Sequence, residues 1–153
     1  ILTIGKDKTI KHFGMDRKEV RTYTMGGDIT AHSIARDGTS FTAFAGKSGK
    51  VWQLSDGKEL FSFDAPAEVL SVDRSSDNSR IYLGCADNLV RVYQLKDKQY
   101  IQGFPSKNPV KGLAGVPNQA IVGFVSENGA GTHSISWVRN SVVSEKGLTS
   151  SAW

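Results

Sequence analysis

Apolar and polar residues alternate along this chain in short runs, and each run is closed by turn-forming residues. The clearest stretch predicts four strands at 29–35, 41–45, 50–54 and 60–63, with gaps too short to hold a helix. Nowhere do apolar residues recur at helical spacing over more than two turns. The pattern therefore predicts an all-β chain.

The runs repeat. Turn pairs stand at Asp37-Gly38, Asp77-Asn78 and Pro117-Asn118, with a step of 40 residues each time. A second series, Asp16-Arg17-Lys18, Asp56-Gly57-Lys58 and Asp97-Lys98, keeps the same spacing to within a residue and has hairpin chemistry. Ile29, Val69, Val110 and Leu148 each open an apolar run, and the aromatics Phe13, Trp52 and Tyr93 follow at the same interval. Four series on one period define a structural repeat.

Each complete unit holds four short strands. The units are 1–24, 29–64, 69–104 and 110–146, with an extra opening strand at 148–153; the first begins at Ile1–Ile4 without an opening strand. A lone four-stranded sheet cannot bury both faces, and a ring of such sheets supplies a neighbour on each side. The expected fold class is a β-propeller of four-stranded antiparallel blades. The offset ends suit a ring in which 148–153 completes a blade begun at Ile1, and the absence of an initiator Met suits a portion of a longer chain.

Composition narrows the function classes. The chain has 153 residues, 39% hydrophobic and 22% charged, which is ordinary for a folded domain. No run reaches the roughly 20 apolar residues of a membrane helix, so no membrane insertion is expected. The net charge of +4 comes from scattered lysines with no basic stripe, and nucleic acid is not an expected partner. The single cysteine, Cys85, excludes an intrachain disulfide and any multi-cysteine metal site, and its apolar setting predicts a buried thiol. The residues name no compartment.

At this point the repeat resembles the WD40 family. Residues 84–95, from Gly84 through Asp87 and Asn88 to Leu95, resemble that family's hairpin between second and third strands, and residues 4–11 resemble another copy. Residues 52–60 are similar to its third-to-fourth hairpin, and 147–153 resemble a first strand cut short. The chain departs from the pattern too: Phe13-Gly14, Trp52-Gln53 and Tyr93-Gln94 replace the Trp-Asp pair, and the Gly-His pair before the first strand is missing. The family's hairpin aspartate relies on that His, so Asp7 and Asp87 are expected to find other partners. The hairpin at Asn128-Gly129-Ala130-Gly131 departs furthest.

Little in the chain points to catalysis. Gly46-Lys47-Ser48 looks like a phosphate loop, but Phe41 stands where that motif needs glycine and a strand follows where it needs a helix. His12, His32 and His133 have no metal-like spacing, and each is expected to be a buried, hydrogen-bonded structural residue. No Gly-x-Ser-x-Gly elbow and no Asn-x-Ser/Thr signal occurs. No cofactor, metal or catalytic residue is predicted. The aromatics at blade spacing are expected to pack between blades, with Trp52 largely buried.

The resemblance implies a non-catalytic interaction scaffold whose propeller face meets protein or peptide partners, as part of a larger complex or longer chain. Carried over by position, the loops of that face hold Asp28, Glu68, Asn108, Lys6, Lys8, Lys47 and Asn88. Two alternatives stay open: a propeller enzyme or quinoprotein-like redox domain, suggested by residues 56–61, and a nucleic-acid-binding propeller.

Overall fold

The computed structural model describes residues 1–115, 121–128, 132–139 and 151–152. Every regular element among them is a strand, and the strands form four antiparallel sheets. The first sheet has three: β1 (Leu2–Ile4), β2 (Thr9–Phe13) and β3 (Glu19–Thr24). The second runs β4 (Ile29–Ile34), β5 (Ser40–Ala45), β6 (Ser48–Gln53) and β7 (Glu59–Asp64). The third runs β8 (Val69–Arg74), β9 (Arg80–Cys85), β10 (Leu89–Gln94) and β11 (Tyr100–Pro105). The fourth holds β12 (Val110–Gly115), β13 (Ile121–Asn128), β14 (Thr132–Arg139) and β15 (Ser151–Ala152). These sheets are propeller blades, and the opening strands β4, β8 and β12 lie side by side.

The turn residues do what the sequence pattern requires of them. Asp37 Oδ1 accepts from Thr39 N at 3.0 Å and Asp77 Oδ1 from Ser79 N at 3.0 Å, closing the first hairpins of two blades. In the third-to-fourth hairpins Asp16, Asp56 and Asp97 accept in the same way from Lys18, Lys58 and Gln99. Arg17, Gly57 and Lys98 there have φ of 64°, 75° and 61°, the left-handed step that a short bulged hairpin needs. The bulges fall at His12/Phe13, Val51/Trp52 and Val92/Tyr93, one at each residue of the aromatic series.

The core lies between blades. Ile10, Tyr23 and Met25 of the first blade meet Phe41, Ala43 and Trp52 of the second. Trp52 is 5% exposed and stacks on Phe41 at 4.9 Å, with the Tyr23 ring 5.4 Å away. Ala31, Phe44 and Ala65 meet Val69, Val72, Ile81, Leu83 and Cys85 at the next interface. Tyr82, Val90, Val92 and Phe104 meet Val110, Val122 and Phe124 at the third. Gly84 lets these sheets approach: a Cβ there would lie 2.6 Å from Val110 Cγ1.

Ser151–Ala152 depart from the opening-strand reading of 148–153. They run antiparallel to Ser136–Trp137 as the outer strand of the fourth sheet. The outer edge of β14 presents backbone N–H and C=O groups in a row, which a passing extended segment satisfies. Pro117-Asn118, Gly129-Ala130-Gly131, Leu148 and Trp153 lie outside the described residues.

Candidate functional site

Antiparallel strand order sends the loops to two opposite ends of the blades. One end collects the hairpins between second and third strands together with the links from one blade to the next. Backbone bonds tie these loops to each other. Met25 N donates to Lys8 O at 3.0 Å, Ala65 N to Lys47 O at 2.9 Å and Ser106 N to Asn88 O at 2.8 Å. Ala86 N reaches Glu68 O at 2.9 Å, and Val69 N crosses between blades to Gly46 O at 2.9 Å.

All seven residues expected on an interaction face sit on these loops. Asp28 and Glu68 are exposed on successive links, each just before an opening strand; Asn108 is half-buried on the third. Lys6, Lys8 and Lys47 are exposed on the hairpin turns. Asn88 is half-buried, and its Nδ2 lies 3.5 Å from Lys107 O. Lys8 and Asn88 hold φ of 65° and Gly46 one of 61°, so the turns place the side chains by a fixed backbone step. Lys6 and Asp28 line one shallow recess with Ile4, Gly5 and Ile29.

The hairpin aspartates have found their other partners. Asp7 Oδ1 accepts from Thr9 Oγ1 at 2.7 Å and Thr9 N at 3.2 Å, and these bonds hold its carboxyl below the usual range. Asp87 takes Arg91, with Oδ1 to NH1 at 2.7 Å and Oδ2 to NH2 at 2.5 Å. The Arg91 bonds hold the Asp87 carboxyl below its usual value, and Asp87 in turn raises the guanidinium.

The opposite end carries a polar network that the sequence pattern did not reveal. Asp73 Oδ1 accepts from Ser33 Oγ at 3.1 Å and Oδ2 from Gly115 N at 2.8 Å, while Arg36 NH2 donates to Gly115 O at 2.6 Å. One carboxylate thus links three opening strands. Arg74, 2% exposed, donates to Ser40 Oγ at 2.8 Å and to Thr42 Oγ1 at 3.1 and 2.5 Å. Asn78 Nδ2 bonds Asp37 Oδ2 at 2.8 Å, joining the first-hairpin turns of neighbouring blades. The available signal was the interval of 40 between Ser33 and Asp73, but an isolated polar residue on a strand does not disclose its partner.

The histidines differ from expectation. His32 is exposed, because the first sheet has no opening strand to cover it. His12 is half-buried with Nδ1 enclosed and unpartnered; burial lowers its pKa. The side chain of His133 lies outside the described residues. Cys85 is buried as expected, and burial raises its thiol pKa. Gly46 and Lys47 form the turn between β5 and β6, so a strand follows them. Among the described residues no group of three or more His, Cys, Asp or Glu is placed to hold a metal ion, and no helix is long and apolar enough to cross a membrane.

No family model matches the chain. Similar proteins include the cross-pathway control WD-repeat protein 2 of Flammulina velutipes, 27% identical over 105 residues that span 66% of this chain and 33% of the relative. The small ribosomal subunit protein RACK1 of Caenorhabditis elegans is 26% identical over 106 residues, spanning 67% of this chain and 32% of its own length. The chain thus spans about a third of these relatives. Among solved structures, the crystal structure of the RRP9 WD40 repeats superposes with a TM-score of 0.67 at 19% identity, over 76% of this chain and 37% of that one.

Proposed function

We propose that this divergent WD40-repeat chain, a run of antiparallel β-propeller blades, is a non-catalytic scaffold that binds protein or peptide partners through its link-and-hairpin rim. The observation that carries this reading is the backbone bonding beneath that rim: Lys8, Lys47 and Asn88 carbonyls each accept from a link residue, so exposed charges stand on tied loops. A surface ordered before binding loses less conformational entropy on association. Its chemistry is mixed, with Asp28 and Glu68 beside Lys6, Lys8 and Lys47. Such a surface discriminates partners by charge complementarity and steers their encounter.

One of the similar proteins, that of Caenorhabditis elegans, is named as a small ribosomal subunit protein. Membership of a larger assembly is what we carry from that name to this chain. The partner class is protein or peptide, without nucleic acid. The test is the double variant Asp28→Arg with Glu68→Arg, compared with the unaltered chain for partner capture and thermal melting. Exposed substitutions of this kind change stability by about 0.5 kcal/mol or less each. Lost capture with an unchanged melt is expected; full capture removes these two positions from the site.

A further inference from the structure

The exposed apolar residues of this chain are not scattered. Among the described residues seven large ones are exposed, and four of them, Met15, Val20, Leu60 and Tyr100, stand on or beside the third-to-fourth hairpins, at the end of the blades opposite the rim. Val20 and Leu60 hold one place in successive blades. Each is the extra residue of a bulge, passed over where Phe13 pairs with Glu19 and where Trp52 pairs with Glu59, and a bulge re-aims the side chain it carries. Leu60 is 45% exposed although its blade packs against a neighbour on both faces, so no missing neighbour accounts for it. Met15, on the first of these hairpins, is 95% exposed.

The net charge gathers on the same edge. The hairpins 14–18, 54–58 and 95–99 hold five Lys or Arg against three Asp. Each Asp accepts from a backbone N–H of its own turn, and Glu19 and Glu59 beside the hairpins are paired with Lys11 and Lys50 at 3.4 and 3.0 Å. Arg21 lies over Gly57 and adds one more cation, so this edge carries +3 of the chain's net +4. Arg17, Lys58 and Lys96 are exposed and pair with no carboxylate among the described residues. The edge is also continuous. Arg21 joins the first blade to the hairpin of the second, and Lys98 reaches back from the third to Ser62 O at 2.8 Å and to the face of Phe61.

We propose that this edge docks on an anionic bilayer surface without crossing it, with Met15, Val20 and Leu60 entering the headgroup boundary and Arg17, Lys58 and Lys96 meeting the lipid anions. Exposed apolar side chains set among basic ones are the chemistry of a peripheral membrane contact, in which burial and charge attraction add. A single-stranded nucleic acid calls instead for stacking platforms, and of the four apolar residues only Tyr100 is aromatic. Docked in this way, the chain turns its link-and-hairpin rim away from the bilayer. The contact is separate from the rim and does not depend on what the rim binds.

The test is flotation of the whole chain with vesicles of phosphatidylcholine alone and of phosphatidylcholine with phosphatidylserine. Binding is expected only to the anionic vesicles, and it falls as salt is raised. Lys58→Glu with Lys96→Glu, and separately Met15→Ser with Leu60→Ser, are each expected to weaken it about tenfold or more while leaving the thermal melt unchanged. Contact is also read on a chain that keeps every one of these cations. An environment-sensitive fluorophore on Met15→Cys is expected to shift to the blue on anionic vesicles, whereas the same label on Asp28→Cys, at the opposite end, is not. Absence of binding to anionic vesicles, equal binding to neutral ones, or binding that survives either double substitution overturns the proposal, as does a blue shift at position 28 without one at 15. Binding of single-stranded RNA or polyglutamate that Lys58→Glu with Lys96→Glu abolishes, without vesicle binding, overturns it too by assigning the edge to nucleic acid or to an acidic protein.

Discussion

Asp87 and Arg91 hold each other by two points across the start of β10, with oxygen-to-nitrogen distances of 2.7 and 2.5 Å. Arg91 is buried and Asp87 is exposed, so the pair anchors a rim turn to the blade interior. The same place in the first two blades carries Lys11 and Lys50, which pair instead with Glu19 at 3.4 Å and Glu59 at 3.0 Å. A planar guanidinium bonds both carboxylate oxygens at once, which an ammonium does not match.

Because Arg91 holds the Asp87 carboxyl below its usual value of 3.8, the stabilisation from this group is present above that value and is lost as pH falls through the folded pKa. The unaltered chain is therefore expected to lose more stability than Asp87→Asn between about pH 7 and pH 2. Urea melts of both chains across that range check this. Equal losses contradict it.

Trp52→Ala is expected to cost about 3–5 kcal/mol, since it empties a site enclosed by Phe41 and Tyr23 at the first blade interface. Thermal and urea unfolding measure the loss. An unchanged midpoint contradicts the strand register of the second blade.

Arg74→Leu is expected to destabilise by about 1–3 kcal/mol for each buried hydroxyl it leaves unpaired, those of Ser40 and Thr42. Adding Ser40→Ala and Thr42→Val to that variant removes the stranded groups and is expected to recover much of the loss. Unfolding free energies of the single, double and triple variants give the coupling, and purely additive effects contradict the network.

The blade architecture was legible because turn chemistry and strand alternation repeat locally. Asp37, Asp77, Asp16, Asp56 and Asp97 each bond a backbone N–H two residues on, and a local bond of that kind leaves its mark in the sequence. The loop positions of Asp28, Glu68 and the other proposed rim residues were carried over from the WD40 resemblance onto these repeats. His32 was misread because its slot is buried in later blades: the position repeats, but the strand that covers it does not. Asp73 and Arg36 escaped because their partners, Ser33 and Gly115, lie on other blades, where period alone does not identify a contact. Ser151–Ala152 keep an opening-strand composition yet pair as an outer strand, since extended segments of either kind satisfy the same edge.

The most direct test of the proposed interaction rim is site-specific photo-cross-linking with one reactive side chain placed in turn at Asp28, Glu68, Asp37 and Asp77 in the partner-bound protein. Asp28 and Glu68 stand on the link loops, while Asp37 and Asp77 stand on the first-hairpin turns at the opposite end. All four are exposed, so solvent access does not favour either pair. Adducts to a protein partner from positions 28 and 68, with none from 37 and 77, are the expected result. Adducts from positions 37 and 77 alone would contradict the rim assignment.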